Sequence, residues 1–481
     1  MRDLYQLERS TPELQGVKSE AILDFIQEAE KIRTPDMGQD LHSFILLRHG
    51  YVIAEGWWEP YKSDAPHMLF SLSKSFTSTA IGFAVQEGLL SVEDTVISYF
   101  KEECPEPEPN LSKMRIKHLL SMNTGHIVDT TDFFFSREDG NWAKAFLEVP
   151  VEKEPGTHFL YNTGATYMLS VILQRLAGEK LIDYLQSRLF EPLNISGAAW
   201  DTCPMGYNTG GFGLRVKTED IAKFGQFYLD KGKVKDKQLL GEEWINEATS
   251  IQSDNSVNGS GDWGQGYGYQ FWRCRHKAYR GDGAFGQYCI IMPDQDAVLA
   301  ITGGMKDLQK PLELVWNKLL PGFMDNALPE SEEYERLKNK LISLQLLQPE
   351  GKENSSLESD IQGKTYRLEP NPLGVDEISL SFNSESIRMS MTEDGNRYEY
   401  SVGIGHWAMS TYNFQGKQEP AAFIGFWEDD TTLVIKGSLL QTPFAGNYRL
   451  QFKGNELHLE QNINVGFEQT RTNCVKGNAV S

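Results

Sequence analysis

The stretch Phe76 to Leu90, FTSTAIGFAVQEGLL, is apolar almost all round a helical projection and ends near Gly88. A helix without a polar face has to be enclosed by other elements, and a glycine just past its end supplies the left-handed residue at which helices stop. The chain must therefore build a layered core around this one segment. With 481 residues it has the length for a large core plus an appendage, or for about three average domains.

The flanking pattern supplies candidates for those layers. SFILLRHGYVIAEGWW reads as two strands turning at Arg48-His49-Gly50, and QYCIIMPDQDAVLAITGG as two more turning at Pro293-Asp294-Gln295-Asp296. Helices are expected over SEAILDFIQEAEKI with Ser19 as cap, over TYMLSVILQRLAG and LIDYLQSRLFEPL, and over TEDIAKFGQFYLDKG with Thr218 as cap. After about residue 328 the character changes. A charged amphipathic helix in SEEYERLKNKLISLQLL and a polar linker, QPEGKENSSLESD, lead into strict alternation: Ile378, Leu380 and Phe382, then Ile387, Met389 and Met391, then Tyr398, Tyr400 and Val402. The expected architecture is an α/β (α+β) catalytic domain over 1–328, an antiparallel sheet flanked by helices with a helical lobe. A helix and linker follow over 329–359, then a C-terminal all-β barrel or sandwich over 360–481.

Acidic residues outnumber basic ones 67 to 46, a net charge of −21, which repels nucleic acid and anionic membrane. No tract approaches the ~18 apolar residues of a membrane span, and the charged start MRDLYQLERSTPELQGVKSEAILDF lacks the apolar core of a secretory signal. A cytoplasmic location is expected. The five cysteines are scattered without Cys-x-x-Cys spacing, and the nine histidines show no ligand spacing, so neither disulfides nor a metal is expected, and no cofactor is required.

Just ahead of the buried helix stands Leu69-Phe70-Ser71-Leu72-Ser73-Lys74-Ser75-Phe76. Serine is a poor nucleophile unless a base lies within hydrogen-bond reach and donors face the attacked carbonyl. Helical spacing of three or four pairs Lys74 with Ser71 on one side and with Ser78 on the other, and turns Ser73 and Ser75 elsewhere. Ser71 is the better placed, because the first-turn N–H groups are unsatisfied and the dipole is positive there, whereas Ser78 lies inside the helix. The same positive end, with burial, disfavours a lysine ammonium and lowers the Lys74 pKa toward that of a usable base.

Several blocks in order extend this motif: SLSKSFTSTAIG, LSVEDTVISYF, IKHLLSMNTGH, FLYNTGATYMLSVILQRLAG and GGFGLRVKTEDIAKFGQFYL. Over residues 40 to 328 the chain resembles the serine β-lactamase and penicillin-binding-protein-like superfamily, in the branch near class C β-lactamases, serine esterases and D-amino-acid peptidases. The resemblance implies Ser71 as the acylated nucleophile, Lys74 as its partner and Tyr161 as the tyrosine of a Tyr-x-Asn motif. A phenol near two positive groups has a lowered pKa, so Tyr161 is expected to act as phenolate and shuttle the serine proton.

Two departures bear on specificity. Tyr161-Asn162-Thr163 carries threonine where the asparagine usually stands, which leaves open whether Asn162 or Thr163 faces substrate. The family's Lys-Thr-Gly strand edge is replaced by Tyr279-Arg280-Gly281-Asp282-Gly283. Asp282 adds negative charge there, and a carboxylate-bearing penicillin would need Arg280 or Lys277 as a substitute cation. The backbone N–H of Gly283 or Ala284 is the expected second oxyanion donor. GDGAFG fits the Gly-x-Gly-x-x-Gly pattern but leads into a strand rather than a helix, against a dinucleotide site. The groups GWWEPY and GYGYQFW are equally suited to lining a cleft or to core packing.

The sequence thus points to a serine hydrolase forming an acyl-enzyme on a small ester, amide or peptide substrate: an esterase, amidase or peptidase. A β-lactamase or D,D-peptidase is the second reading, and a non-catalytic binding or scaffold protein on the same fold the third. The oligomeric state is left open.

Overall fold

The computed structural model describes residues 5–33, 38–348, 350–414 and 416–480, so Pro349 of the expected linker lies outside the described residues. Its first layer is a seven-stranded sheet. The strands are β1 (Glu8–Arg9), β2 (Gln39–Arg48), β3 (Tyr51–Trp57), β4 (Trp272–Arg273), β5 (Tyr279–Gly283), β6 (Gln287–Met292) and β7 (Ala297–Met305), in spatial order β1-β3-β2-β7-β6-β5-β4. Apart from the short parallel pair of β1 with β3, every pairing is antiparallel, and both hairpins expected from sequence are present.

β2 is buried along its whole length. Ile45 and Leu47 face one core and Phe44 and Leu46 the other, as the two-residue period of a strand requires when both sheet faces are covered. The inner core takes the all-round apolar helix α2 (Ser73–Gln86), together with α3 (Thr163–Ala177) and α4 (Thr218–Leu229). The outer core takes α1 (Ser19–Lys31) and residues of the segment after 328. Ser19 and Thr218 are first helical residues rather than caps. At those ends carboxylates bond back: Glu13 accepts from the Ser19 N–H, and Asp220 from the Lys217 N–H. LIDYLQSRLFEPL divides into a short α-helix, Leu181–Leu185, and a π-turn, Gln186–Phe190.

The C-terminal strands form a barrel, which settles the choice between barrel and sandwich. They are β8 (Thr365–Leu368), β9 (Val375–Phe382), β10 (Ser386–Glu393), β11 (Asn396–Ile404), β12 (Ala408–Phe414), β13 (Lys417–Trp427), β14 (Thr432–Leu439), β15 (Ala445–Lys453), β16 (Glu456–Ile463) and β17 (Asn473–Val480). β11 pairs in parallel with β13 through Gly403–Ile424 and Ile404–Gly425. That contact closes nine strands into a ring, with β12 as a hairpin on β13. The linker is strapped down, because Leu344 and Leu346 are buried in the outer core and Lys352 pairs with Trp427.

The barrel docks close to the buried helix. Met68 N–H donates to the Gln441 carbonyl at 2.8 Å. Arg215 forms a two-pronged pair with Glu419, both contacts 2.9 Å, and Leu440 and Ala422 join the outer core of the sheet.

Candidate active site

Ser71 occupies a single 3-10 turn, Phe70–Leu72, ahead of α2. The residue before it, Phe70, has φ +48°, a conformation that costs a bulky side chain energy and is tolerated mainly where the surroundings enforce it. This turn lets Ser71 stand half-buried while Ser73, Ser75 and Ser78 are buried. Those three are directed elsewhere or unused: Ser73 Oγ accepts from the Leu214 N–H, Ser75 Oγ donates to the Gln270 carbonyl, and Ser78 Oγ has no partner among the described residues.

Lys74 lies one turn along and is 1 % exposed. Its Nζ reaches Ser71 Oγ at 2.9 Å, Thr163 Oγ1 at 3.2 Å and the Gly211 carbonyl at 2.8 Å. Burial lowers its pKa to about 7, against the opposing pull of Asp129 and Asp282. Gly211 is required for that approach, since a Cβ there would lie 2.8 Å from Thr163 Cγ2 and 3.0 Å from its carbonyl oxygen.

Tyr161 lies close enough to Ser71 for the serine to pull its pKa down, and its ring lies 4.9 Å from Lys74 Nζ. Trp272 stacks on one side of the ring, at 5.3 Å, and Tyr267 meets it edge-on at 6.2 Å. The phenolate expectation is corrected here: burial, reinforced by Asp282 and Asp129, raises the Tyr161 pKa well above the usual tyrosine value despite the opposing pull of Ser71. The phenol is therefore neutral at rest, and the depressed pKa belongs to Lys74.

The structure separates Asn162 from Thr163. Asn162 is fully buried and caps α3, its Oδ1 accepting from Gly164 N–H, Thr130 N–H and Thr130 Oγ1. Thr163 turns toward Lys74, and its N–H donates to the Asp129 carboxylate. Asp129, the anion nearest in effect to Lys74, was not singled out from sequence. Its signal was Asp129-Thr130-Thr131, a short cap in which the carboxylate accepts from the Thr131 N–H and hydroxyl.

β5 runs along the start of α2, closely enough that a Cβ on Gly283 would sit 2.1 Å from the Leu69 carbonyl. Arg280 does not face the cleft. It is fully buried, bonds Asp282 at 2.8 Å and the Asp262 carbonyl at 2.8 Å, and lies over the rings of Trp263 and Trp272. The expectation that it could meet a substrate carboxylate is corrected by this burial. Lys277 is largely exposed and paired with Asp294. Asp282, almost buried, has its carboxyl pushed upward by burial, with Arg280 and Lys74 pulling the other way. Ala284 opens the tight turn into β6, and neither its N–H nor that of Ser71 donates a hydrogen bond among the described residues. Of the aromatic groups, Tyr267 and Trp272 wall Tyr161, while Trp58 and Tyr61 belong to the outer core.

A serine hydroxyl, a buried amine on the verge of deprotonation and a neutral phenol thus meet at one end of a helix, and the backbone amides of Ser71 and Ala284 are left without acceptors among the described residues. Residues 41–305 match the family model described as Beta-lactamase. The chain belongs to the beta-lactamase family. Within reach of this family, the chain is 24 % identical over 317 residues to the 6-aminohexanoate-dimer hydrolase of Paenarthrobacter ureafaciens, covering 61 % of this chain and 80 % of that one. It is 24 % identical over 167 residues to the lovastatin esterase of Penicillium rubens, covering 30 % of this chain and 42 % of that one. Among solved structures, EstCE1, a hydrolase with promiscuous acyltransferase activity, superposes with a TM-score of 0.50 at 16 % identity, over 62 % of this chain and 99 % of that one. That likeness is one of fold.

Proposed function

We propose that the protein is a serine hydrolase that cleaves a small ester or amide through an acyl-enzyme on Ser71. The observation that carries this reading is the buried Lys74 amine, its pKa near 7, 2.9 Å from the Ser71 hydroxyl. A neutral amine at that distance accepts the hydroxyl proton as Ser71 Oγ attacks the carbonyl carbon. The oxyanion is met by the N–H groups of Ser71 and Ala284, both free to donate. Tyr161, protonated at rest, passes its proton to the leaving oxygen or nitrogen and is reprotonated from Lys74. Water then attacks the acyl-enzyme, losing its proton along the same path, and Ser71 Oγ leaves as the hydroxyl.

The likeness to a 6-aminohexanoate-dimer hydrolase and to a lovastatin esterase supports a small ester or amide as substrate. Penicillin-like substrates, with a carboxylate, are disfavoured because Arg280 and Lys277 are engaged and Asp282 stands near the site. The five unpaired cysteines support the cytoplasmic expectation. Among the described residues no helix is long and apolar enough to cross a membrane.

The test is steady-state hydrolysis of a panel of p-nitrophenyl esters, short amides and a cephalosporin by wild type and Ser71→Ala. Turnover of an ester or amide that Ser71→Ala abolishes is expected. A panel on which the wild type is inert, or on which Ser71→Ala retains full activity, contradicts the proposal, and turnover of the cephalosporin alone would put the β-lactamase reading first.

A further inference from the structure

One apolar cavity has no part in the chemistry above. It lies in the barrel at the end facing the catalytic domain, has a volume of roughly 310 Å³, and is walled by Phe414, Leu439, Phe444, Ile463, Val465 and Phe467 among others. That volume stands at the lower end of the ~300–1,000 Å³ of small-molecule pockets. None of the described residues lining it carries a charge. The two tyrosine hydroxyls at its wall satisfy each other, Tyr448 Oη donating to Tyr412 Oη at 3.2 Å. Nothing in the wall asks for a charged ligand.

The cavity is joined to the nucleophile by one layer of aromatic rings. Phe70, adjacent to Ser71, meets Phe444 edge-on at 6.1 Å and Phe467 at 5.7 Å. Phe285, adjacent to Ala284, lies 5.8 Å from Phe444 and 5.0 Å from Phe467, and Phe70 and Phe285 are 5.3 Å apart. The residues beside the nucleophile and beside the oxyanion amide therefore share one apolar surface with the cavity. Phe467 is 78 % exposed and Ile463 40 %, an exposure of apolar side chains on the cavity wall that folding alone does not reward.

We propose that this barrel cavity binds the apolar chain of the acyl group that Ser71 takes up, so that the enzyme prefers neutral, medium-chain aliphatic or aryl acyl substrates. The inference rests on the serine-hydrolase reading. An acyl carbonyl held at Ser71 would extend its chain across Phe70 and Phe285 and between Phe444 and Phe467 into the cavity. Each buried methylene would then contribute about a four-fold gain in binding, shared between KM and kcat.

The experiment compares kcat/KM for p-nitrophenyl decanoate and p-nitrophenyl acetate in wild type, Gly446→Leu and Phe467→Ala. Gly446 lines the cavity with room for a side chain, the nearest atom to a Cβ there being 3.4 Å away. Wild type should favour decanoate at least ten-fold. Gly446→Leu should cut that ratio about ten-fold by filling the cavity, and Phe467→Ala should reduce it several-fold while leaving the fold untouched. A ratio near one in wild type, or a ratio that neither variant moves, overturns the inference, and so does a Phe467→Ala effect confined to oligomeric state, which would make this surface a contact between copies. Should no ester be hydrolysed, the serine-hydrolase reading fails and the cavity is judged separately, by fluorescence of the neutral probe N-phenyl-1-naphthylamine with Ser71→Ala. Binding of about one equivalent, lost in Ser71→Ala/Gly446→Leu, sustains an apolar-chain site; no binding ends it.

Discussion

Lys74 Nζ and the Ser71 hydroxyl lie 2.9 Å apart, and the other two hydrogen bonds of the amine go to neutral oxygens, those of Thr163 and Gly211. No carboxylate touches the amine among the described residues, so the protein surrounds a buried lysine with groups that accept its hydrogens but do not hold its charge. This arrangement suits the base of the proposed mechanism rather than a structural ion pair.

Lys74→Arg tests that distinction. Arginine keeps the positive charge and hydrogen-bonding capacity but does not deprotonate in proteins. If Lys74 served only to neutralise or position, the variant would retain much of its activity. As base, its loss should lower kcat by roughly 10²–10⁴-fold, measured by ester hydrolysis alongside thermal unfolding to show that the fold persists.

The pH dependence follows from the same two groups. Lys74 must be neutral to act, and its pKa is about 7, so kcat/KM should rise with pH below about 7 and level off above it. Tyr161 is pushed well above the ordinary tyrosine value by burial, so no second limb from its ionisation should appear below pH 10, the reference value for a free phenol. A phenolate mechanism would instead give a limb that disappears in Tyr161→Phe.

In the proposed mechanism Asp129 should act on the reaction through Lys74. Its negative charge favours the ammonium form, and Asp129→Asn keeps an oxygen able to accept from Thr163 and Thr131. Removing the charge should shift the acidic limb of the kcat/KM profile to lower pH by about half to one unit. A purely structural role would lower the whole profile without moving its midpoint.

Stability should fall in mild acid for a reason located beside the barrel. His67 is buried, with Nε2 3.1 Å from His42 Nδ1 and Nδ1 3.0 Å from the Met68 carbonyl oxygen, and burial lowers its pKa from 6.5 to about 4. Below about pH 6.5 the unfolded chain binds a proton that the folded one refuses, so stability is lost as pH falls from about 6.5 toward 4, by about 3 kcal/mol from His67 alone. His118 and His126, also held near 4 by burial, act in the same direction. Thermal unfolding followed at several pH values should show a smaller drop for His67→Gln than for wild type.

What the sequence revealed follows from which features are local. The all-round apolar helix, the two hairpins and the alternating strands after residue 360 carry their periodicity in adjacent residues, and Ser71 and Lys74 are one turn apart. Barrel closure was less legible, because it depends on two residue pairs, Gly403–Ile424 and Ile404–Gly425, that no local pattern announces. Thr163 and Asn162 could not be told apart because they are neighbours in sequence, and only the path of the chain into α3 decides which side chain caps the helix and which faces the lysine. Arg280 looked like a substrate cation from its place in the motif. Asp282, two residues on and on the same strand face, together with the Trp263 and Trp272 rings, draws it inward. Tyr161 departs from its expectation for a related reason: proximity to a positive group lowers a phenol pKa only when that group is charged, and burial acts on both partners at once.

The central claim is that Ser71 becomes acylated with Lys74 as its base. Intact-mass and peptide-mapping analysis after exposure to an alkyl fluorophosphonate tests it most directly, on wild type, Ser71→Ala and Lys74→Arg. One equivalent of adduct on Ser71 in the wild type is predicted, with none in Ser71→Ala and labelling at least ~100-fold slower in Lys74→Arg. An unlabelled wild type, or an adduct on Ser78 or elsewhere that persists in Ser71→Ala, would contradict it.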